Sequence, residues 1–122
     1  MSIQFKPSGE FAKFTSGESL SVGNVVCLGT SDNEVLKADA SNSAKMPAIG
    51  FVKSLRGSDC IVQLTYLVGL TGLTQGSDYW VSTNGNIINT APSSGGYIVQ
   101  KVGRAVSSNK LLINLESQIV FL

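Results

Sequence analysis

Shifted by 53 positions, the sequence matches itself, and this limits its fold more than any other feature. Gly23 falls on Gly76 and Gly50 on Gly103, with no gap between the two anchors. Leu20 then meets Leu73, Leu28 meets Val81, Asn33 meets Asn86, Val35 meets Ile88, Ser41 meets Ser94 and Ser54 meets Ser107. A two-residue deletion next brings Cys60–Leu64 onto Leu111–Leu115. A glycine present in both copies marks a backbone need, either positive φ or the close approach of another strand. Gly23, Gly50, Gly76 and Gly103 are therefore read as structural turn positions. Two copies, spanning about 19–64 and 72–115, are too few for a solenoid, which needs roughly three or more. They can instead pair into one closed or nearly closed β unit, or form two half-sandwiches over a shared core.

The chain between the anchors reads as strands. The runs "NVVCL", "EVLKA", "AIGFV", "DCIVQLTYL", "DYWVS", "NIINT", "YIVQKVG" and "LLINL" are all of strand length, and Gly, Ser, Asn or Asp bounds them. Asn84-Gly85 between "YWVS" and "NIINT" is a strong hairpin signal. No window carries a helical period with caps. The expected fold is all-β: a small sandwich or barrel-like unit built from two pseudo-repeats, with an extended N-terminal arm. The expected division is an arm over 1–17 and a single β domain over 18–122.

Charge and residue types narrow the function. Only 14% of residues are charged, so polar surface is scarce and part of the surface is expected to meet a partner. The net charge is +1 and the basic residues are scattered, which points to neither nucleic acid nor a membrane surface. No apolar run approaches the roughly 20 residues of a membrane span. The beginning, "MSIQFKPSGEF", has no apolar signal-peptide core, so the chain is expected to fold in a reducing cytoplasm. Cys27 and Cys60 lie in apolar runs. They read as two buried reduced thiols, with a single disulfide as the alternative.

Catalytic chemistry is nearly missing from the pattern. There are no histidines, which removes the commonest acid/base catalyst and metal ligand. Asp32, Glu34 and Asp39 share one hairpin but lack the acid spacing and glycine of a calcium loop. No G-x-S-x-G motif occurs, and "SSGGY" does not sit between a strand and a helix as a phosphate cradle would. The expectation is a protein that is not an enzyme, with no cofactor and no metal. Lys53, Arg56, Lys101 and Arg104 form the densest basic group and read either as solvated or as one face touching an acidic partner. Trp80, beside Tyr79, reads either as core or as an exposed anchor or sugar platform.

The two ends stand apart from the repeats. Residues 1–17 hold Phe5, Phe11 and Phe14, with Pro7 and Gly9 breaking regular structure. Such a segment cannot bury three phenylalanines on itself, so Phe5, Phe11 and Phe14, flanked by Lys6 and Lys13, are expected on another surface, either the chain's own domain or a partner chain. The segment "ESQIVFL" holds Ile119, Val120 and Phe121 and is expected to pair as a strand, in this chain or in a neighbour. With Arg56 and Arg104, these residues make up the expected capsid or subunit interface, for the following reason.

The run "GLTGLTQGSDYWVSTNGNIINTAP…GGYIVQKVGRAVSSNKLLINL" resembles a segment that recurs in small virion proteins of tailed bacteriophages. "FTSGESLSVGNVVCLG…VLKADAS…PAIGFV" resembles the glycine-turn pattern of phage capsid decoration (cement) proteins. The resemblance spans roughly Phe14 to Leu115. It implies a β-rich fold, a homotrimer, and binding to the outside of the capsid where major capsid protein subunits meet. The implied location is the capsid outer surface of the virion, after synthesis in the host cytoplasm. The family offers no catalytic residues. Related segments occur in tail and fibre proteins, so the alternative is a module that binds a host-surface glycan through Tyr79, Trp80 and Tyr97.

Overall fold

The computed structural model describes residues 9–116 and the backbone of Val120–Phe121. The fold is all-β, with two sheets in a sandwich-like arrangement. In the first unit, β1 (Phe11–Ser16), β2 (Val25–Leu28), β3 (Glu34–Lys37), β4 (Ala48–Arg56) and β5 (Asp59–Gln63) form a closed barrel in the order β1-β3-β2-β4-β5. The second unit contains β6 (Leu67–Gly69), β7 (Asp78–Val81), β8 (Ile87–Ile88), β10 (Lys101–Ser107) and β11 (Lys110–Ile113) in one sheet ordered β6-β11-β10-β7-β8. The short β9 (Ile98–Val99) pairs with β12 (Val120–Phe121), antiparallel. A short 3-10 turn over Ser43–Lys45, capped by the Asn42 side chain, precedes β4.

The two units have the same strand plan. A shift of 53 carries the first residues of β2, β3 and β4 onto those of β7, β8 and β10, and a shift of 51 carries Asp59 of β5 onto Lys110 of β11. The pairings repeat as well. β2 lies between β3 and β4, as β7 lies between β8 and β10; β5 joins β4 to β1, as β11 joins β10 to β6. The repeat is therefore one strand longer at its start than the sequence match suggested, because β1 and β6 are equivalent members.

This corrects the expected arm. Phe11–Ser16 is an integral strand, antiparallel to β5 from Phe11↔Gln63 to Thr15↔Asp59, and it closes the barrel by parallel pairing to β3. Phe14 packs on the barrel interior of its own chain. Its neighbours Phe11 and Lys13 point outward from the same strand, as period-2 alternation requires. Phe5 and Lys6 lie outside the described residues, as does Ile119. Val120 and Phe121 belong to the paired strand β12, in this chain.

Two cores explain the burial pattern. Val26, Val35, Val52, Cys60 and Val62 fill the first barrel. Val25, Cys27, Ala48 and Phe51 point the other way, into a core shared with Val68, Tyr79, Val81, Val102, Ala105 and Leu111 of the second unit. A strand buried on both faces needs no polar alternation, which is why "VVC" and "FV" are continuous apolar runs. β7 and β11, buried on one face only, alternate. Both cysteines are free and buried, in different cores, and burial pushes each thiol above its ordinary value.

Backbone bonds tie the units together. Val25 N donates to Gly85 O (3.0 Å), Gly85 N to Ala38 O (2.8 Å), Ala40 N to Ser82 O (2.8 Å) and Ile98 N to Ala40 O (2.8 Å). The Asn84-Gly85 turn thus does more than reverse a hairpin. Both residues have positive φ, 54° and 76°, as a type I′ turn requires, and the turn presents Gly85 to the first unit. Asp39 helps hold the same junction. Partial burial pushes its carboxyl up, but bonds from Ser41 Oγ and N and from Asn84 N outweigh that and leave it below the usual range.

Candidate functional site

The inner face of the second sheet is used up by the shared core. Its outer face carries the most interface-like constellation among the described residues. Alternation puts Asp78 and Trp80 of β7 outward while Tyr79 and Val81 are buried. The register then builds two rows across the sheet. One runs Leu67, Leu112, Arg104, Asp78, and the other runs Lys101, Trp80, Ile88. Val106 follows Arg104 along β10, also exposed. Leu112, Ile88 and Val106 are each exposed large apolar side chains.

A bulge supplies the charge cluster. The register between β10 and β7 slips between Lys101 and Gly103. The extra residue lets Lys101 and Arg104, three positions apart, reach the same carboxylate. Arg104 Nε lies 2.8 Å and Nη2 3.4 Å from the two Asp78 oxygens, and Lys101 Nζ lies 3.2 Å away. Asp78, Lys101, Gly103, Arg104, Leu112 and Asn114 line a shallow depression of 290 Å³. The hydrogen bonds from Arg104, then Lys101, hold the Asp78 carboxyl below its ordinary value.

That shift has a testable sign. A folded-state value below the unfolded one gives a stability contribution that is fully present above the unfolded value, about 3.9, and is lost as pH falls through the lower folded value. Asp78→Asn is expected to unfold at a lower urea midpoint than the parent near neutral pH. The two midpoints should converge only in stronger acid, below the depressed folded-state value, where the parent's carboxyl is protonated too. A gap that persists unchanged in acid would mean that the ion cluster is not its source.

The other expected site residues fall elsewhere. Arg56 and Lys53 are exposed on β4 of the first unit, and Phe11 and Lys13 are on β1. The basic group expected from the sequence is therefore two groups. Lys101 and Arg104 already share an acidic partner within the chain, while Lys53 and Arg56 form no ion pair with the described residues. Tyr79 cannot be a sugar platform, because it is buried and its hydroxyl accepts a bond from Thr74 N at 2.8 Å. Trp80 and Tyr97 are half-buried. Glu34 takes bonds from Thr30 N and Ser31 N at its own turn, and the described residues hold no cluster of three or more metal-ligating side chains. No protein-family model matches the chain, and comparisons with curated proteins and with solved structures find no match.

Leu67, Ile88, Leu112 and Val106 were missed as site residues by the sequence reading. Leu112 and Val106 each sit singly between more buried neighbours, and only the strand order brings the four side by side. The signal available was the alternation of "DYWV" and "KLLI", which leaves Trp80 and Leu112 on the wet side.

Proposed function

We propose that this chain is a structural virion protein that binds the outer surface of a phage capsid as a homotrimer and stabilises the shell. The outer face of the second unit is the observation that carries the reading. It is a rigid sheet surface with Trp80, Ile88, Leu67 and Leu112 around an ordered Asp78–Lys101–Arg104 cluster. Tryptophan and arginine set among apolar neighbours are the residue types that dominate the energetics of protein interfaces. The resemblance of Phe14–Leu115 to capsid decoration proteins supports the same assignment, with the major capsid protein as partner. Three such faces per trimer multiply a modest contact through avidity and need no catalytic group.

The test is binding of purified protein to capsids that carry no decoration, with the oligomer mass measured in solution. Wild type is expected to be a trimer and to saturate the capsids in many copies. Trp80→Ala should weaken attachment by roughly 30-fold, about 2 kcal/mol. Arg104→Glu places a second carboxylate beside Asp78 and should weaken it as well. Both variants should keep the β signature of the parent by circular dichroism, since neither side chain belongs to a core. A stable monomer that ignores capsids but binds cell-wall glycans would replace this reading by the tail or fibre module.

A further inference from the structure

Of the chain's asparagines, only Asn84 is followed by glycine. That pair carries a chemistry of its own. The backbone nitrogen of the next residue can attack an asparagine's side-chain amide carbon, and glycine alone puts no Cβ in the way. In the left-handed turn the two reacting groups have opposite surroundings. Asn84 is exposed, so its side-chain amide is open to water, whereas Gly85 is buried. The Gly85 N–H, which supplies the attacking nitrogen, donates to Ala38 O at 2.8 Å. Its carbonyl accepts from Val25 N at 3.0 Å and from Asn24 Nδ2 at 3.5 Å. The packing is close as well: an added Cβ on Gly85 would stand 3.1 Å from both Asn24 Nδ2 and Lys37 Cγ.

We infer that Asn84 is a site of spontaneous deamidation, that the junction between the two units holds the reaction off, and that its product loosens this junction. The only co-reactant is water. Gly85 N gives up its proton and bonds to Asn84 Cγ. The bond from Cγ to the side-chain nitrogen breaks, and that nitrogen leaves as ammonia with the proton. Water then adds to either carbonyl of the five-membered succinimide ring and opens it. Position 84 becomes aspartyl, or isoaspartyl with the main chain routed through the former side chain. The first step cannot proceed while Ala38 O holds the Gly85 proton in a buried bond. The junction must open first, so the rate is the intrinsic rate scaled by the open fraction. The product then acts back on the junction. Asn84 N donates to Asp39 Oδ2 at 3.3 Å, while Ser41 bonds Asp39 Oδ1. Conversion places a second negative charge on the very residue whose backbone Asp39 holds, and like charges at one site repel. The isoaspartyl form also adds a methylene to a two-residue turn that must keep Gly85 N and O aligned with Ala38 and Val25.

The test uses no capsids, so its outcome is separate from the capsid assignment. The full chain is held at mildly alkaline pH, folded in buffer and unfolded in guanidinium chloride. Conversion at Asn84 is followed in both samples by peptide mass and isoaspartyl content. Hydrogen exchange of the Gly85 amide is measured in the folded sample. Conversion is expected to be at least about tenfold slower in the folded chain, and slower by the same factor as exchange at Gly85, since both reactions remove the same proton through the same opening. Equal conversion rates in the two samples would overturn the inference. So would a folded chain whose slowing does not match the protection of Gly85. Converted protein, separated by its added negative charge, should unfold at a lower denaturant midpoint than the parent. Equal midpoints would overturn the claim that the product loosens the junction.

Discussion

Asparagine in place of Gly103 or Gly50 is expected to destabilise the protein by about 3 kcal/mol or more, while the same change at Gly76 costs well under that. The four repeat glycines divide into two kinds. Gly23 and Gly76 occupy equivalent turns with φ of 94° and 83°. Gly76 has open space where a Cβ would stand. Asparagine is the non-glycine residue that best tolerates the left-handed region, so Gly76→Asn keeps the turn at little cost. Gly50 and Gly103 answer a different need. A Cβ at Gly50 would run into the carbonyl oxygen of Gln63, and one at Gly103 into that of Leu112. Those oxygens belong to the paired strands β5 and β11, so neither can move without breaking a ladder. Urea unfolding of the three single variants measures the contrast. Equal losses at Gly76 and Gly103 would show that the glycines serve one common purpose after all.

The same glycines show how much of the fold could be read in the sequence. Their spacing located the starts of β2 and β7, and of β4 and β10, because a turn that needs positive φ and a strand that needs close approach both reject side chains. The Asn84-Gly85 hairpin was legible for the same reason. β1 was not. Its equivalent, β6, is only three residues long and holds no glycine matched in β1, so "FAKFTS" and "LVG" look unrelated. Pro7 and Gly9 nearby then read as an arm, although the alternation of Ala12, Phe14 and Ser16 against Phe11, Lys13 and Thr15 is a strand pattern. The candidate site was legible only in part. Arg104 and Trp80 stood out by residue type, but their grouping depends on the Lys101–Gly103 bulge and on cross-strand register. Both are properties of pairing and leave no mark on a single strand.

Gln100→Leu is expected to cost about 2–5 kcal/mol, although it replaces a polar side chain by an apolar one of similar size in the interior. Gln100 is 2% exposed. Its Oε1 accepts from Ala48 N at 2.7 Å, and its Nε2 donates to Ala48 O at 3.2 Å and to Glu116 O at 3.1 Å. One amide thus satisfies both backbone groups of Ala48, the first residue of β4, from the far unit. The Leu variant would take a side-chain acceptor from Ala48 N and a side-chain donor from the carbonyls of Ala48 and Glu116, and a buried group left unpaired costs about 1–3 kcal/mol. The apolar gain is small because the site is already dry. Gln100→Glu separates the terms. It keeps an acceptor for Ala48 N but sets a carboxylate against the carbonyls of Ala48 and Glu116. In its charged form this variant should therefore be at least as damaging near neutral pH, and it should recover in acid, where a protonated carboxyl can donate once more. Chemical denaturation of both variants near pH 7 and in acid provides the check. A Leu variant as stable as the parent would mean that the two units are held together by their shared apolar core and the Gly85 backbone bonds, with Gln100 contributing little.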